Sequence, residues 1–447
     1  MVWHNRELRA SAGLALMLVI AISFGGGGRS APLANLIVQL AALLALAVSI
    51  ANLREFLLAV PRGLVVLIAI SMAIPMVQSI PLPPTVWTAL PGRELVSESL
   101  ALIDASGTWM PFSVDPSLSL LAFIGLVAPL TVLVLAAPYR AQQIRAGLLA
   151  LLGGALVCLF IGSVQFASGG DALDFYAGGS VNRLAGTFAN HNTAGIFFVI
   201  LLCLLVSAQK DWFPSPFVNL GPRIALGLVF LIGVILSQSR SSIALLLFPA
   251  LVLVWRLYCA HTLMKWSRRS LALASGSGAL AIAMVALLTF SGGRGAQSIE
   301  RFESLEDLRP AIWADGLVSA DRFWPVGSGM GTFDDVFQLD ESLEHVTPRR
   351  AGRAHNDYLE IAIESGVLGL AMVLGWVAYL GSLTWRSLRS RSDLLPLGAS
   401  AGLACIALQS VVDYPLRNQA MLCVAAFLVV ILVSGVSDVR GKGASRG

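Results

Sequence analysis

Apolar runs of membrane-spanning length are the feature that most constrains how this chain can fold. A transmembrane helix needs about 20 predominantly apolar residues to cross a hydrocarbon layer about 30 Å thick. Twelve apolar runs occur in the sequence, at 10–28, 31–51, 63–80, 117–138, 146–168, 188–208, 224–239, 241–255, 270–293, 361–385, 394–412 and 418–437. We therefore predict an all-α polytopic membrane protein with about twelve transmembrane helices.

The composition agrees with residence in a membrane. Hydrophobic residues make up 56% of the 447 residues and charged residues only 13%, whereas a soluble domain carries about a quarter charged residues. This balance excludes intrinsic disorder, which needs low hydrophobicity and high charge, and it argues strongly against an ordinary soluble enzyme. We expect membrane lipids, and no nucleic acid, among the partners of the chain.

Two of the runs, 224–239 and 241–255, are short and are separated only by Arg240. They could form one long helix with an arginine in its middle, or two separate helices. With two helices, the side that holds both termini contains 18 of the 30 basic residues and five of the 26 acidic residues. A single helix would move the four basic residues of 256–269 to the other side, against the positive-inside rule. We therefore predict twelve spans with both termini in the cytoplasm.

The predicted spans divide the chain into three parts. Transmembrane helices 1–9 occupy 1–293, a large outer loop with short helices occupies 294–360, and transmembrane helices 10–12 with a cytoplasmic tail occupy 361–447. In the loop, Pro310 predicts the first turn of an amphipathic helix, because proline is favoured at that position. The apolar residues that we assign to one face of this helix are Ile312, Trp313, Leu317 and Val318.

Two features that could suggest a bound cofactor are weak. The glycines within 325–331 resemble a nucleotide-binding loop only superficially, and without a surrounding βαβ unit they predict a turn. The acidic pairs Asp171…Asp174 and Asp334-Asp335 and the five scattered cysteines have no metal-ligand spacing. We expect neither a metal nor another cofactor.

Three polar clusters lie at the predicted outer ends of spans, where charge is costly and usually faces a cavity or a partner. The clusters occupy 182–192, 237–242 and 353–360. Each has an ordinary structural explanation as well, because an arginine can extend to the headgroups and a histidine can be an unremarkable loop residue. The predicted topology places all three on one side of the membrane, where they can converge.

Phosphorylated lipids are the substrates that such a set of residues suits. A guanidinium stays charged and binds phosphate oxygens in a bidentate fork, so Arg183 and Arg240 could stabilise a departing diphosphate without a metal. A histidine such as His355 could take a proton from an attacking hydroxyl. Arg353 lies just before it, in a basic run that could meet anionic sugars, phosphates or headgroups, or form a solvated patch. In the last outer turn, Asp413 and Arg417 could pair with each other or contact a substrate.

The same residues resemble motifs of the O-antigen ligase and Wzy-type polymerase superfamily. The ligase signature is matched by His355-Asn356, nine further residues and Gly366-Val367-Leu368-Gly369. The segment from Arg183 to Asn192 resembles R-x-x-G-T-F-x-N-x-N, and Ser239-Arg240-Ser241 resembles S-R-[GS]. The segment 309–333 resembles the start of the large periplasmic loop of the family. The resemblance covers about 180–435, and the first 170 residues match only as apolar spans.

The resemblance departs from the family pattern at one position. His191 stands where a proline is common in the family. Two explanations are open, either that His191 begins a helix or that it adds a second polar group to the site.

The resemblance implies a GT-C type glycosyltransferase of the bacterial inner membrane whose active site faces the periplasm. Such enzymes move a glycan from undecaprenyl diphosphate to an acceptor hydroxyl, with inversion and without a metal. It implies that Arg183 and Arg240 hold the diphosphate and that His355 deprotonates or positions the acceptor. The further substrate-binding candidates are Asn356, Tyr358, Arg353 and Asn190.

The acceptor distinguishes the branches of this family. A ligase transfers a finished polymer to lipid A–core, a polymerase of O-antigen or exopolysaccharide transfers a growing chain to a lipid-linked repeat unit, and a protein O-oligosaccharyltransferase glycosylates a protein. The His-Asn spacing favours the ligase. A twelve-span transporter is the alternative from another class, and it predicts repeats and broken helices at the membrane midplane, neither of which the sequence suggests.

Overall fold

The computed structural model describes residues 2–137, 141–176, 183–208, 220–264, 308–344, 346, 350–389 and 393–444. Helices dominate these residues, as predicted. The described residues also contain two short strands, β1 (Pro81–Leu82) and β2 (Met110–Pro111), which pair antiparallel. This pairing is a small departure from an all-α fold.

Nine helices precede residue 170 in the described part of the chain. They are α1 (Val2–Phe24), α2 (Pro32–Val48), α3 (Ile50–Ala59), α4 (Arg62–Gln78), α5 (Pro84–Trp87), α6 (Glu94–Leu102), α7 (Pro116–Gly125), α8 (Val127–Ala136) and α9 (Ala141–Ala167). Those that follow in the described residues are α10 (His191–Ser207), α11 (Leu220–Ser237), α12 (Arg240–Leu245), α13 (Leu247–Met264), α14 (Arg309–Arg322), α15 (Phe333–Asp340), α16 (Asp357–Ser387), α17 (Leu395–Gln409) and α18 (Gln419–Ala444).

Several described helices are long and apolar enough to cross a membrane. Five segments meet both conditions, namely Glu7–Arg29, Pro116–Ala136, Ala141–Ala167, Arg240–Cys259 and Asp357–Ser387. A sixth candidate is α2 with α3, although the chain bends by 80° between them instead of continuing as the single predicted run 31–51. Five shorter apolar helices coincide with other predicted runs. The run at 270–293 lies outside the described residues, so the number of twelve spans and their orientation stay predictions.

The two short runs around Arg240 form separate helices, as the charge pattern predicts. Helix α11 ends at Ser237, and Gln238 has a left-handed φ of 51°. The Ser239 side chain then accepts a hydrogen bond from the Ser242 amide and caps α12. Arg240 therefore begins a helix instead of interrupting one.

The chain forms two compact units. The described residues of the first unit fall within Met1–Gly154, Leu308–Ser382 and Ile406–Val430, and those of the second within Ala155–Asp307, Leu383–Cys405 and Ile431–Gly447. His355 belongs to the first unit, whereas Arg183 and Arg240 belong to the second.

The large loop contributes a small hydrophobic core to the first unit. Its buried members are Phe323, Phe333, Val336, Phe337, Ala354 and Ile363. Helix α14 begins at Arg309, and Pro310 lies in its first turn as predicted. Its inward face differs from the predicted one, because Leu317 and Val318 are 62% and 54% exposed. Ile312 packs on the core, and the buried Asp315 accepts hydrogen bonds from the Ser342 amide and hydroxyl.

The glycine cluster of the loop is a turn packed against α16, as predicted. The amides of Ser328 and Gly329 donate to the carbonyls of Ile363 and Glu364, both at 2.9 Å. Gly366 has a φ of 53°, and a side chain there would collide with the Pro325 carbonyl. The amides of Ser328 and Gly329 are therefore engaged within the protein and do not point at a ligand.

Candidate functional site

His355 lies in a strained turn immediately before α16. Its φ of 50° is in the left-handed region, which costs a non-glycine residue on the order of 1–3 kcal/mol and persists only where the surroundings enforce it. The next residue, Asn356, caps the helix, because its Oδ1 accepts the amides of Tyr358 at 3.0 Å and Leu359 at 3.1 Å. The predicted His-Asn motif is thus a strained residue followed by a helix cap.

Asp413 and Tyr414 contact the imidazole of His355. His355 Nδ1 lies 3.4 Å from Asp413 Oδ1, and the Tyr414 ring meets the imidazole edge-on with 4.9 Å between centroids. Asp413 is buried, with a 2% exposed side chain, whereas the His355 side chain is 28% exposed. A carboxylate beside Nδ1 favours the tautomer with its proton on that nitrogen, so that Nε2 is an acceptor. Nδ1 makes no hydrogen bond in this contact, and the role of His355 as a general base stays a prediction.

Arg417 makes ion pairs with three buried carboxylates instead of pairing with Asp413. Asp357, Glu360 and Glu364 are spaced i, i+3 and i+7, so they lie along one face of α16. Arg417 Nε lies 3.2 Å from Asp357 Oδ1 and 3.1 Å from Glu360 Oε2, and Nη1 lies 2.7 Å from Glu364 Oε2. Burial alone would lower the pKa of Arg417, but the three carboxylates outweigh it and raise that pKa.

Two other residues predicted to contact substrate, Arg353 and Tyr358, have side chains that contact protein groups in the first unit. Arg353 Nη1 lies 3.1 Å from the buried Glu360 Oε2. The Tyr358 hydroxyl donates to the Ala407 carbonyl at 2.8 Å and joins α16 to α17. Both side chains therefore hold the surroundings of His355 together, and a substrate contact for either of them stays a prediction.

Arg183 and His191 form a polar pair in the second unit. Arg183 Nη1 lies 2.9 Å from His191 Nε2. Because a guanidinium can only donate, Nε2 is the acceptor in this contact. His191 is also the first residue of α10, and Asn190 caps that helix by accepting the Asn192 amide at 2.8 Å. Both open explanations of His191 therefore describe it in part, since it begins a helix and adds a polar group beside Arg183.

Hydrogen bonds join the segment that carries Arg183 to the turn that carries Arg240. The Leu184 amide donates to the Leu236 carbonyl at 3.0 Å, and Ser242 Oγ donates to the Asn192 carbonyl at 3.3 Å. Arg240 itself is exposed. The structure thus brings the two predicted arginine segments together, while the convergence of His355 with them stays a prediction.

Metal ligands were not predicted, and the described residues contain no group of three or more His, Cys, Asp or Glu side chains that could hold a metal ion. The three carboxylates on α16 surround a guanidinium instead. A reaction without a metal stays a prediction.

The acidic face of α16 and the contact of Asp413 with His355 were not predicted from the sequence. Glu364 was an available signal, because an ionisable residue inside the apolar run 361–385 needs a buried partner. Asp413 had no comparable signal, since it lies 58 residues from His355 in the sequence and only the packing of the chain brings them together.

The long apolar helices, with a folded loop at the start of one of them, define a helical multi-pass membrane protein. Residues 224–374 match the family model described as O-antigen ligase. This match confirms the resemblance seen in the motifs to the O-antigen ligase and Wzy-type family, whose members are glycosyltransferase-like membrane enzymes. The matched residues include Arg240 and His355 but neither Arg183 nor Asp413. No curated protein matches the chain.

Proposed function

We propose that this protein transfers a glycan from undecaprenyl diphosphate to an acceptor hydroxyl on the periplasmic side of the bacterial inner membrane, as an O-antigen ligase does. The observation that carries the proposal is the contact of the partly exposed His355 with the buried Asp413. A histidine held in this way, in a membrane enzyme of this family, is suited to deprotonate a hydroxyl.

The proposed reaction is an inverting displacement at the anomeric carbon. The acceptor oxygen gives its proton to His355 Nε2 and forms a bond to the anomeric carbon. The bond between that carbon and the diphosphate oxygen breaks at the same time, and the diphosphate leaves with the electron pair. Arg183 and Arg240 stabilise the negative charge that develops on the diphosphate, without a metal.

His355→Ala tests this proposal directly. Lipid-linked glycan extracted from a strain that lacks the gene, together with lipopolysaccharide core from the same strain, provides the probe for reconstituted protein. We expect His355→Ala to lower glycan transfer at least about 100-fold, which is within the usual contribution of a general base. His345→Ala is the matched control, since it removes a histidine from the same predicted loop, and it should keep wild-type transfer.

The deletion strain distinguishes the ligase from its relatives. Loss of the surface polymer ladder with retained lipid-linked polymer indicates a ligase, and collapse to a single repeat unit indicates a polymerase. An unchanged surface glycan with an unglycosylated protein indicates a protein O-oligosaccharyltransferase. Full transfer by His355→Ala, or solute uptake by proteoliposomes without donor turnover, would contradict the proposal.

A further inference from the structure

The residue before His355 is hydrogen-bonded on both sides of its backbone. The Ala354 amide donates to Glu360 Oε1 at 2.9 Å, and the Ala354 carbonyl accepts a hydrogen bond from the Trp313 indole at 2.8 Å. Ala354 is fully buried in the core of the large loop. Its backbone position is therefore determined by two side chains, one from α16 and one from α14.

The bond from Trp313 acts on the peptide that joins Ala354 to His355. The carbonyl of Ala354 lies in the same plane as the amide nitrogen of His355, because the peptide bond is planar. A donor that fixes this carbonyl also fixes the plane from which the φ of His355 is measured. His355 has a φ of 50°, in a region that is uncommon for residues other than glycine.

Glu360 takes part both in the hydrogen bonds to the Ala354 backbone and in the ion pairs near His355. Its Oε1 holds the Ala354 amide, while its Oε2 lies 3.1 Å from both Arg353 Nη1 and Arg417 Nε. Arg417 belongs to the turn that follows Asp413. Glu360 thus holds both the residue before His355 and the arginine of the turn that follows Asp413.

From this geometry we infer that Trp313 is a positioning residue for His355, so that the large loop sets the orientation of the histidine in addition to bordering the site. The inference rests on the proposed role of His355 as the base. Trp313 acts through the peptide plane and makes no contact with the reacting atoms. Its loss should therefore lower kcat and leave the KM of the lipid-linked glycan unchanged.

Trp313→Phe removes the indole donor and keeps an aromatic ring in the core. The matched control is Trp376→Phe, which removes an indole donor to Ser71 Oγ at 3.0 Å elsewhere on α16. With the full chain in nanodiscs and the extracted lipid-linked glycan as probe, we expect Trp313→Phe to lower kcat about 10- to 100-fold, as misplacement of a reacting group by about 1 Å does. Trp376→Phe should keep the wild-type kcat, and both variants should keep the wild-type KM.

Asp413→Asn provides a second measurement. If Trp313 and Asp413 orient the same imidazole, the double variant should lose less activity than the product of the two single losses, because residues that act as a unit are not additive. Replacement of Trp313 by benzothienylalanine, which has the shape of tryptophan without the N–H group, covers the case in which Trp313→Phe does not fold.

The outcomes separate this inference from the proposed function. If His355→Ala is inactive and the Trp313 variants keep the wild-type kcat, the inference about Trp313 is overturned and the proposed function stands. A kcat that falls equally in the Trp313 and Trp376 variants would assign Trp313 to general stability and also overturn the inference. Full activity of His355→Ala would remove the proposed function and the inference together.

Discussion

The surroundings of His355 and those of Arg240 differ in how charge is held. Around His355, three buried carboxylates on α16 enclose the guanidinium of Arg417, and a fourth contacts the imidazole. Around Arg240, serine hydroxyls and backbone groups make the hydrogen bonds of the turn, and the guanidinium is exposed. The two regions therefore differ in burial, because the charges around His355 are enclosed by the protein whereas the Arg240 side chain is exposed.

Of the changes considered, replacement of Arg417 should lower the stability of the protein most. Arg417→Met removes the cation that Asp357, Glu360 and Glu364 share and leaves Glu360 with Arg353. Loss of one partner from a buried ion pair destabilises a protein by about 3–5 kcal/mol. Arg29→Met is the control, because Arg29 is 43% exposed and lies 3.8–3.9 Å from Asp334 and Asp335, so it should cost less than about 1 kcal/mol. Thermal unfolding in detergent measures both. Equal stability of the two variants would show that the buried network does not hold the fold.

Removing Arg240 should affect activity while leaving the fold intact. Arg240→Ala should lower glycan transfer about 100- to 1,000-fold, the usual effect of removing a group that stabilises developing negative charge. Its stability should stay within about 0.5 kcal/mol of the wild type, because the side chain is exposed. Arg54→Ala removes another exposed arginine and should change neither property. A large loss of stability in Arg240→Ala would show that Arg240, like Arg417, stabilises the fold.

The two helix caps give the smallest expected effect and the most direct comparison between the regions. Asn356→Ala and Asn190→Ala should each cost about 1 kcal/mol, and the serine variants should restore most of it, because serine is nearly as good a cap. Unfolding and glycan transfer are measured in parallel. A stable Asn356→Ser variant without transfer would give Asn356 a role in substrate binding, and the same result at Asn190 would do so in the second region.

Local sequence was sufficient to predict the long apolar helices and to single out the motif residues. Eleven of the twelve predicted runs fall on described apolar helices, because a long apolar run satisfies its backbone polar groups internally whatever surrounds it. The break at Arg240 was predictable from charge placement, and the cap function of Asn356 is a local hydrogen bond. The bend between α2 and α3 and the true inward face of α14 depended on neighbouring elements, so they were not predictable in this way.

The sequence by itself determined that this is a helical membrane chain and that its few charged residues at helix ends, with His355 and the two arginines among them, belong to a recognisable family pattern. The tertiary structure decided which charges meet. Asp413 contacts His355, Arg417 contacts the acidic face of α16, and Trp313 holds the peptide before the histidine. The physical reason is that a helix is specified by neighbours in the sequence, whereas a buried ion pair between distant residues is specified by the packing that brings them together.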